Sequence, residues 1–503
     1  MELPAWKGLV PVLNYMEISE KVGRSKWYGL LTLIPIVNFF IITGLAVALV
    51  RSFGWHSLKE AAIAVIYAPI SYFRLAKGDE QYEGPILAKE ADYQKQISEA
   101  RKSKQERKVK KLLEKDPFKK SIAREWFESI VFAVFAAAFI RMFFIEAYVI
   151  PTPSMEGSLL VGDYLFVSKM SYGIRTPQTV AMVPLLHNRI PVVGTESYLK
   201  KPSLPYNRFF TIDQIDRNNP IVFNWPVGDS VFITSKRSYT AAQVRRGSPG
   251  IFTQDRELKK QVDGNDMRVR PMDKKDHYVK RAVAVPGDSL EIRNGQIYVN
   301  GDISPDPEYV QFIYRVYGNI GSINPKRLAQ WGINEDSYYQ PGNRNLMYLN
   351  QSQVDQITGA DPNIRLERVI QQSEGNHLFP HDDKNFKGWS IDNYGPIWIP
   401  EKGTTVSLSM DNIALYKRII RDYEHNDLTI ENGNILINGE SASSYTFQQD
   451  YYWAMGDNRH NSEDSRSWGF VPFDHMVGKP LVIWFSKKNG IRWNRIFKSA
   501  RKI

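Results

Sequence analysis

Trp126 to Ile145 is a predominantly apolar run of roughly 20 residues, the length an α-helix needs to cross the hydrocarbon core of a bilayer. Just ahead of it lie Arg101, Lys102, Lys104, Arg107, Lys108, Lys110, Lys111, Lys115, Lys119, Lys120 and Arg124. Cations massed on one side of an apolar helix hold that side in the cytoplasm. The run therefore divides the chain, and everything after Ile145 is expected outside the cytoplasm. Glu128 and Arg141 sit near the two ends of the run, where long side chains can reach the interface. The formal charge of +11 on 503 residues is concentrated in this basic stretch. It reads as membrane orientation and not as nucleic-acid binding, because no nucleic-acid-reading motif accompanies it.

Upstream, residues 1–76 read as a membrane module. Tyr28 to Val50 is almost continuously apolar, giving a span near 28–50, and a shorter segment near 60–75 is expected to return the chain to the cytoplasm. Gly8 to Ile18 reads as an interfacial or re-entrant segment. Residues 77–124 form a basic cytoplasmic linker, helical or disordered, and 125–146 the anchor helix.

Downstream, 147–503 reads as a β-rich domain. Tyr164–Val167, Ile221–Phe223 and Ser230–Ile233 are short apolar runs bounded by turn residues. Asn294-Gly295 and Asn432-Gly433 each sit between alternating apolar residues. Asn-Gly accepts the positive φ values of a two-residue turn, which predicts two β-hairpins. Between them a polar, aromatic insertion, about 302–411, is expected to form a cap or second domain.

Three stretches carry candidate chemistry. In Ile150-Pro151-Thr152-Pro153-Ser154-Met155, two prolines stiffen an extended backbone that presents the Ser154 hydroxyl close to the membrane exit. A serine is a poor nucleophile without a base. In Tyr278-Val279-Lys280-Arg281-Ala282-Val283-Ala284, a strand places Lys280 on one face with Tyr278, Ala282 and Ala284. A lysine desolvated there can lose its proton and act as a base; an ordinary surface lysine fits the same stretch taken alone. The third stretch, Met455 to Gly469, is too polar for a regular strand or an amphipathic helix and predicts a self-bracing loop. Within it Asp464 and Arg466 can form a buried pair, and Ser462 can orient a nearby amine.

Together these blocks, with Gly162-Asp163, Val222-Phe223-Asn224-Trp225-Pro226, Gly228-Asp229 and Pro286-Gly287-Asp288, resemble the bacterial type I signal peptidases over roughly the last three-quarters of the chain. The resemblance implies a membrane-bound serine endopeptidase that removes signal peptides from exported preproteins after small-x-small sites. Its fold would be a mainly β catalytic core with an inserted second domain, behind N-terminal transmembrane helices. Ser154 would be the nucleophile and Lys280 the general base. Thr152 and the Ser154 N–H would serve the oxyanion, and Ser462 would hold the Lys280 amine. Met155, Asp464, Arg466, Gly456, Asn458 and Asn461 would support the site. No metal or organic cofactor is implied. The implied partners are preproteins, the lipid bilayer and the secretion translocon, with no nucleic acid. The implied location is multi-pass in the bacterial inner membrane with the catalytic domain on the periplasmic side. The competing expectation is a catalytically silent, membrane-tethered binding module of the same fold. Two departures stand out: Glu156-Gly157-Ser158 replaces an expected proline turn and predicts a looser one, and His460 stands where aspartate is common, which raises a Ser/His arrangement.

Overall fold

The computed structural model describes the whole chain except residues 1–4, 35–36, 191–194, 229, 235–237, 241–243, 245–251, 253–254, 266, 335–336, 341–342, 373–377 and 501–503. Asp229 of the Gly-Asp pair falls among the excluded residues. The chain separates into two units, Met1–Ala133 and Val134–Ile503.

The first unit is helical: α1 (Leu13–Lys21), α2 (Val37–Arg51), α3 (Leu58–Lys77), α4 (Ile86–Lys102), α5 (Glu106–Glu114) and the start of α6 (Ile122–Phe143). The expected span at 28–50 is not one helix. Lys26–Leu33 is 3-10 helix, and α2 has only 15 residues, about 22 Å of rise against a core of about 30 Å. Apolar composition reports a preference for burial and says nothing of helical continuity. Pro35, which has no N–H to donate, interrupts the run in sequence and lies outside the described residues. In α3 the Ser57 side chain caps the first turn by accepting from the Glu60 N–H. The helix is broken at Tyr67 (φ −156°, ψ 87°), two residues before Pro69. Pro69 removes a backbone donor and crowds the preceding turn. Ile41, Leu45 and Leu49 of α2 bury against Val22 and Ile86. Part of the expected linker is thus packed helix, with Ile86, Ile97 and Ala100 of α4 buried.

Among the described residues, α6 is the one helix both long and apolar enough to cross a membrane. None of its 22 residues is buried. A helix apolar on all sides and covered by nothing is suited to lipid. At its start Glu128 pairs with Lys120 at 2.5 Å and Arg124 at 2.7 Å.

The second unit is built on a seven-stranded antiparallel sheet. Its strands, in chain order, are β1 (Ile145–Val149), β2 (Asp163–Ser168), β3 (Pro220–Asn224), β4 (His277–Ala284), β5 (Tyr451–Met455), β6 (Val471–Pro472) and β7 (Met476–Ser486). Their spatial order is β1-β2-β7-β3-β4-β5-β6. The 11-residue β7 pairs β3 through Met476 and Gly478, then β2 from Lys479 to Ser486 across two register shifts. Bulges of this kind increase local twist. One core lies under β3–β5 around Phe223, Trp225 and Trp468, and another under β2 and β7 around Met155, Leu165 and Ile483.

Both Asn-Gly hairpins form. Asn294 and Gly295 have φ 47° and 76°, Asn432 and Gly433 48° and 81°. The flanking pairs are Arg293↔Gln296 and Glu431↔Asn434. The insertion contains a four-stranded sheet (residues 312–317, 338–340, 343–349 and 365–368) and the helix Gln351–Ala360. Phe312, Tyr314, Met347, Leu349 and Ile357 give it a core of its own.

Candidate active site

Thr152 is extended (φ −129°, ψ 154°), as a residue before proline must be, and Pro153–Met155 then makes a single 3-10 turn. The turn is anchored by Met155, which is 1% exposed and packs with Ile150, Leu159, Leu165 and Val222. Burying Met155 leaves Ser154 half-buried at the surface. The first N–H groups of a helical turn have no acceptor within it, so the Ser154 N–H is available to an external oxygen. Thr152 Oγ1 lies 3.5 Å from Ser154 Oγ.

Lys280 sits in the middle of β4, where its neighbour across the sheet is Ile221, and it is 2% exposed. Its Nζ lies 2.5 Å from Ser154 Oγ and 5.9 Å from the centre of the Tyr278 ring. It makes no ion pair among the described residues. Burial pulls its pKa down from the ordinary lysine value to about 8, against the opposing pull of Asp464, Glu463 and Asp457. Desolvation wins because the nearby carboxylates do not reach the amine.

The loop after β5 braces this pair from behind. Asn458 donates from its N–H to Ser154 O at 3.1 Å and from Nδ2 to Pro153 O at 3.3 Å. The Asn461 N–H closes the loop onto Asn458 O at 3.0 Å. A Cβ on Gly456 would stand 2.4 Å from Ser154 O, so only glycine lets the loop come this close. Asp464 accepts from Arg466 Nε and Nη2 at 2.9 and 2.7 Å and from the Gly456 N–H at 3.1 Å, with both charged side chains buried. Asp464 thereby ties the loop's two ends together.

A sequence-family comparison then matches residues 123–345 and 403–485 to "Signal peptidase, peptidase S26". The chain belongs to the S26 signal peptidase family. A second match, at residues 6–85, is to a family of unknown function. Signal peptidase I of Helicobacter pylori strain J99 is 23% identical over 398 residues, covering 75% of this chain and 91% of the relative. Signal peptidase I of Buchnera aphidicola from Acyrthosiphon pisum is 24% identical over 77% of this chain and 84% of the relative. The Haemophilus influenzae signal peptidase I is 25% identical over 75% and 74%.

Within this S26 chain three features differ from the sequence reading. Ser462 reaches the site beside Gly456, but its buried Oγ has no hydrogen-bond partner among the described residues. The orienting bond to Lys280 that the resemblance implies is not made. Next, the Glu156-Gly157-Ser158 turn is not loose. Ser158 Oγ donates to Asp457, and the Gly157 backbone (φ 98°) lies so near the insertion that a Cβ would stand 2.1 Å from Tyr309 O. Finally, His460 is committed elsewhere. Its Nδ1 accepts from the Ile313 N–H at 3.4 Å and its Nε2 meets Asp392 at 2.9 Å, both partners belonging to the insertion.

Sequence reasoning has Arg281 pairing its charge on the face opposite Lys280 but does not name the partner, Asp457. The alternation of β4 was its one signal: Arg281, next to Lys280, had to face the other way and find its own counter-charge.

Proposed function

We propose that Ser154 and Lys280 form a Ser/Lys dyad with which this S26 peptidase removes N-terminal signal peptides from exported preproteins. The supporting observation is the 2.5 Å approach of a buried lysine amine to the hydroxyl of a half-buried serine. Neutral Lys280 accepts the Ser154 proton as Oγ attacks the scissile carbonyl. The oxyanion receives hydrogen bonds from the Ser154 N–H and the Thr152 hydroxyl. The Lys280 ammonium then protonates the departing amine, leaving an ester on Ser154. Water opens the ester, with Lys280 taking its proton and Ser154 regaining one. Gly456, Asn458, Asn461, Asp464 and Arg466 hold the geometry, and Met155 seats the nucleophile turn.

Substrates end in a small-x-small pattern after an apolar stretch. Shallow pockets exclude larger side chains by clash, and tethering the enzyme beside the bilayer raises the local concentration of a membrane-bound signal peptide. On this reading α6 is an anchor in the bacterial inner membrane, the helical module before it adds further membrane contact, and residues from 147 onward lie on the periplasmic side near the translocon. The support is the basic run ahead of α6.

The test uses the full chain in detergent with a preprotein substrate. Ser154→Ala and Lys280→Ala each abolish processing, and cleavage retained by both variants would sink the dyad. For orientation, protease added to cells whose outer membrane has been permeabilised should cut after Ile150 and spare residues 78–124.

A further inference from the structure

A cavity of about 90 Å³ opens beside the C-terminal turn of α6, away from the dyad. Four cations line it, Arg141, Lys169, Arg175 and Lys274, against two carboxylates, Glu146 and Asp273. Glu146 is fully used: it accepts from Arg141 at 2.7 Å, Lys169 at 2.6 Å and the Tyr148 hydroxyl at 2.6 Å. Asp273 Oδ2 is held by the Thr179 N–H and hydroxyl at 3.0 and 2.7 Å. Neither carboxylate ion-pairs with the other two cations. Among the described residues Arg175 Nη1 donates only to neutral acceptors, Asn224 Oδ1 and Asp474 O. Lys274 is 3% exposed, and among the described residues its ammonium finds only Met182 Sδ at 3.4 Å and the Tyr198 ring at 5.3 Å.

A buried ammonium that no carboxylate contacts is costly, and burial lowers the Lys274 pKa although Asp273 and Glu146 pull it up. The neighbouring histidines add no charge of their own. Burial lowers His187 to about 4 and lowers His277 as well, so both rings are neutral. Two buried polar atoms on the wall, His187 Nε2 and Asp273 Oδ1, have no hydrogen-bond partner among the described residues. The cavity thus offers an excess of two positive charges beside unmet hydrogen-bonding groups. Its rim includes Met142, Leu185 and Leu186.

We propose that this cavity binds the phosphodiester of an anionic phospholipid whose headgroup carries hydroxyls. Arg175 and Lys274 take the phosphate, a headgroup hydroxyl meets Asp273 Oδ1 or His187 Nε2, and the apolar rim meets the glycerol and upper acyl chain. The position favours a lipid over a soluble anion. A 22-residue helix rises about 33 Å, which sets its last turn, with Arg141, at headgroup level. The proposal rests on α6 crossing the bilayer and is independent of the dyad.

The test is lipid retention by the full chain in phosphatidylcholine nanodiscs doped with phosphatidylglycerol, read by mass spectrometry, so that catalysis plays no part. Leu185 is 40% exposed with φ 65°, a backbone that Asp and Asn adopt more readily than leucine. Leu185→Asp places a carboxylate at the mouth, and Leu185→Asn is its neutral control. Phosphatidylglycerol retention should fall about ten-fold in Leu185→Asp relative to Leu185→Asn and the parent. Lys274→Met should show the same loss. The basic segment 101–124 is common to all variants, so the difference between them reads the cavity. Equal retention by the two Leu185 variants overturns the proposal. Saturation by inorganic phosphate without preference for the anionic lipid overturns the lipid assignment.

Discussion

Arg281 donates Nε and Nη2 to the Asp457 carboxylate at 2.8 and 2.6 Å, with both side chains buried. This pair joins the strand carrying Lys280 to the loop that supports Ser154. Asp457 in turn receives the Ser158 hydroxyl from just beyond the nucleophile turn. Removing one partner of a buried pair strands the other charge, at a cost of about 3–5 kcal/mol. Arg281→Met is therefore expected to lower the thermal midpoint of the full chain in detergent markedly. Arg281→Met combined with Asp457→Leu should recover part of the loss. A single variant that melts with the parent would show that the pair contributes nothing.

The depressed pKa of Lys280, about 8, fixes the direction of the pH response. With Lys280 as the proposed base, catalysis requires its neutral amine, so kcat/KM should climb about ten-fold per pH unit on the acid side and level off above about 8. The folded state binds fewer protons than the unfolded one between about 8 and the unfolded lysine value of about 10.4, so stability contributed by this group rises with pH across that window. A rate profile that plateaus already at about pH 6 would point to a different base.

Gly456 separates steric from conformational effects. Its φ is not in the left-handed region, so alanine meets no backbone strain, yet the new Cβ would stand 2.2 Å from Ser462 Oγ and 2.4 Å from Ser154 O. Ser462 can rotate away, whereas the Ser154 carbonyl belongs to the Pro153–Met155 turn. Gly456→Ala should cost about 10²-fold in kcat/KM through displacement of Ser154, the proposed nucleophile, with a much smaller shift in melting temperature. Unaltered kinetics would mean that the loop retreats without disturbing Ser154.

Local physics was legible in the sequence. Asn294-Gly295 and Asn432-Gly433 demanded positive φ, and the period of two put Lys280 beside Ala282 on a strand face. Ser154 and Lys280 could each be singled out, but their 2.5 Å approach spans 126 positions and depends on the whole sheet. The same holds for Arg281 with Asp457, 176 positions apart. The apolar run at 28–50 misled for another reason: hydropathy does not register where a helix breaks. Gly157 read as a loosening substitution because its partner, Tyr309, lies far away in the insertion.

His460 provides the last discrimination. Nδ1 accepts a backbone N–H from the insertion, so the proton is on Nε2, directed at Asp392, and the imidazole has no free nitrogen to offer Ser154. Asp392 also accepts the Gln371 N–H at 2.9 Å, and its carboxyl pKa is lowered. Burial, the largest single influence, raises that pKa; His460, the Gln371 N–H and the Arg466 charge together outweigh it. The pair thus acts as a latch between the insertion and the catalytic loop. His460→Ala should destabilise the fold by about 1–3 kcal/mol, because a buried carboxylate loses a partner. Preprotein cleavage below the melting temperature should stay within about ten-fold of the parent, since the proposed dyad routes no proton through the ring. Activity as low as that of Ser154→Ala, in a protein that melts normally, would instead assign His460 a chemical role.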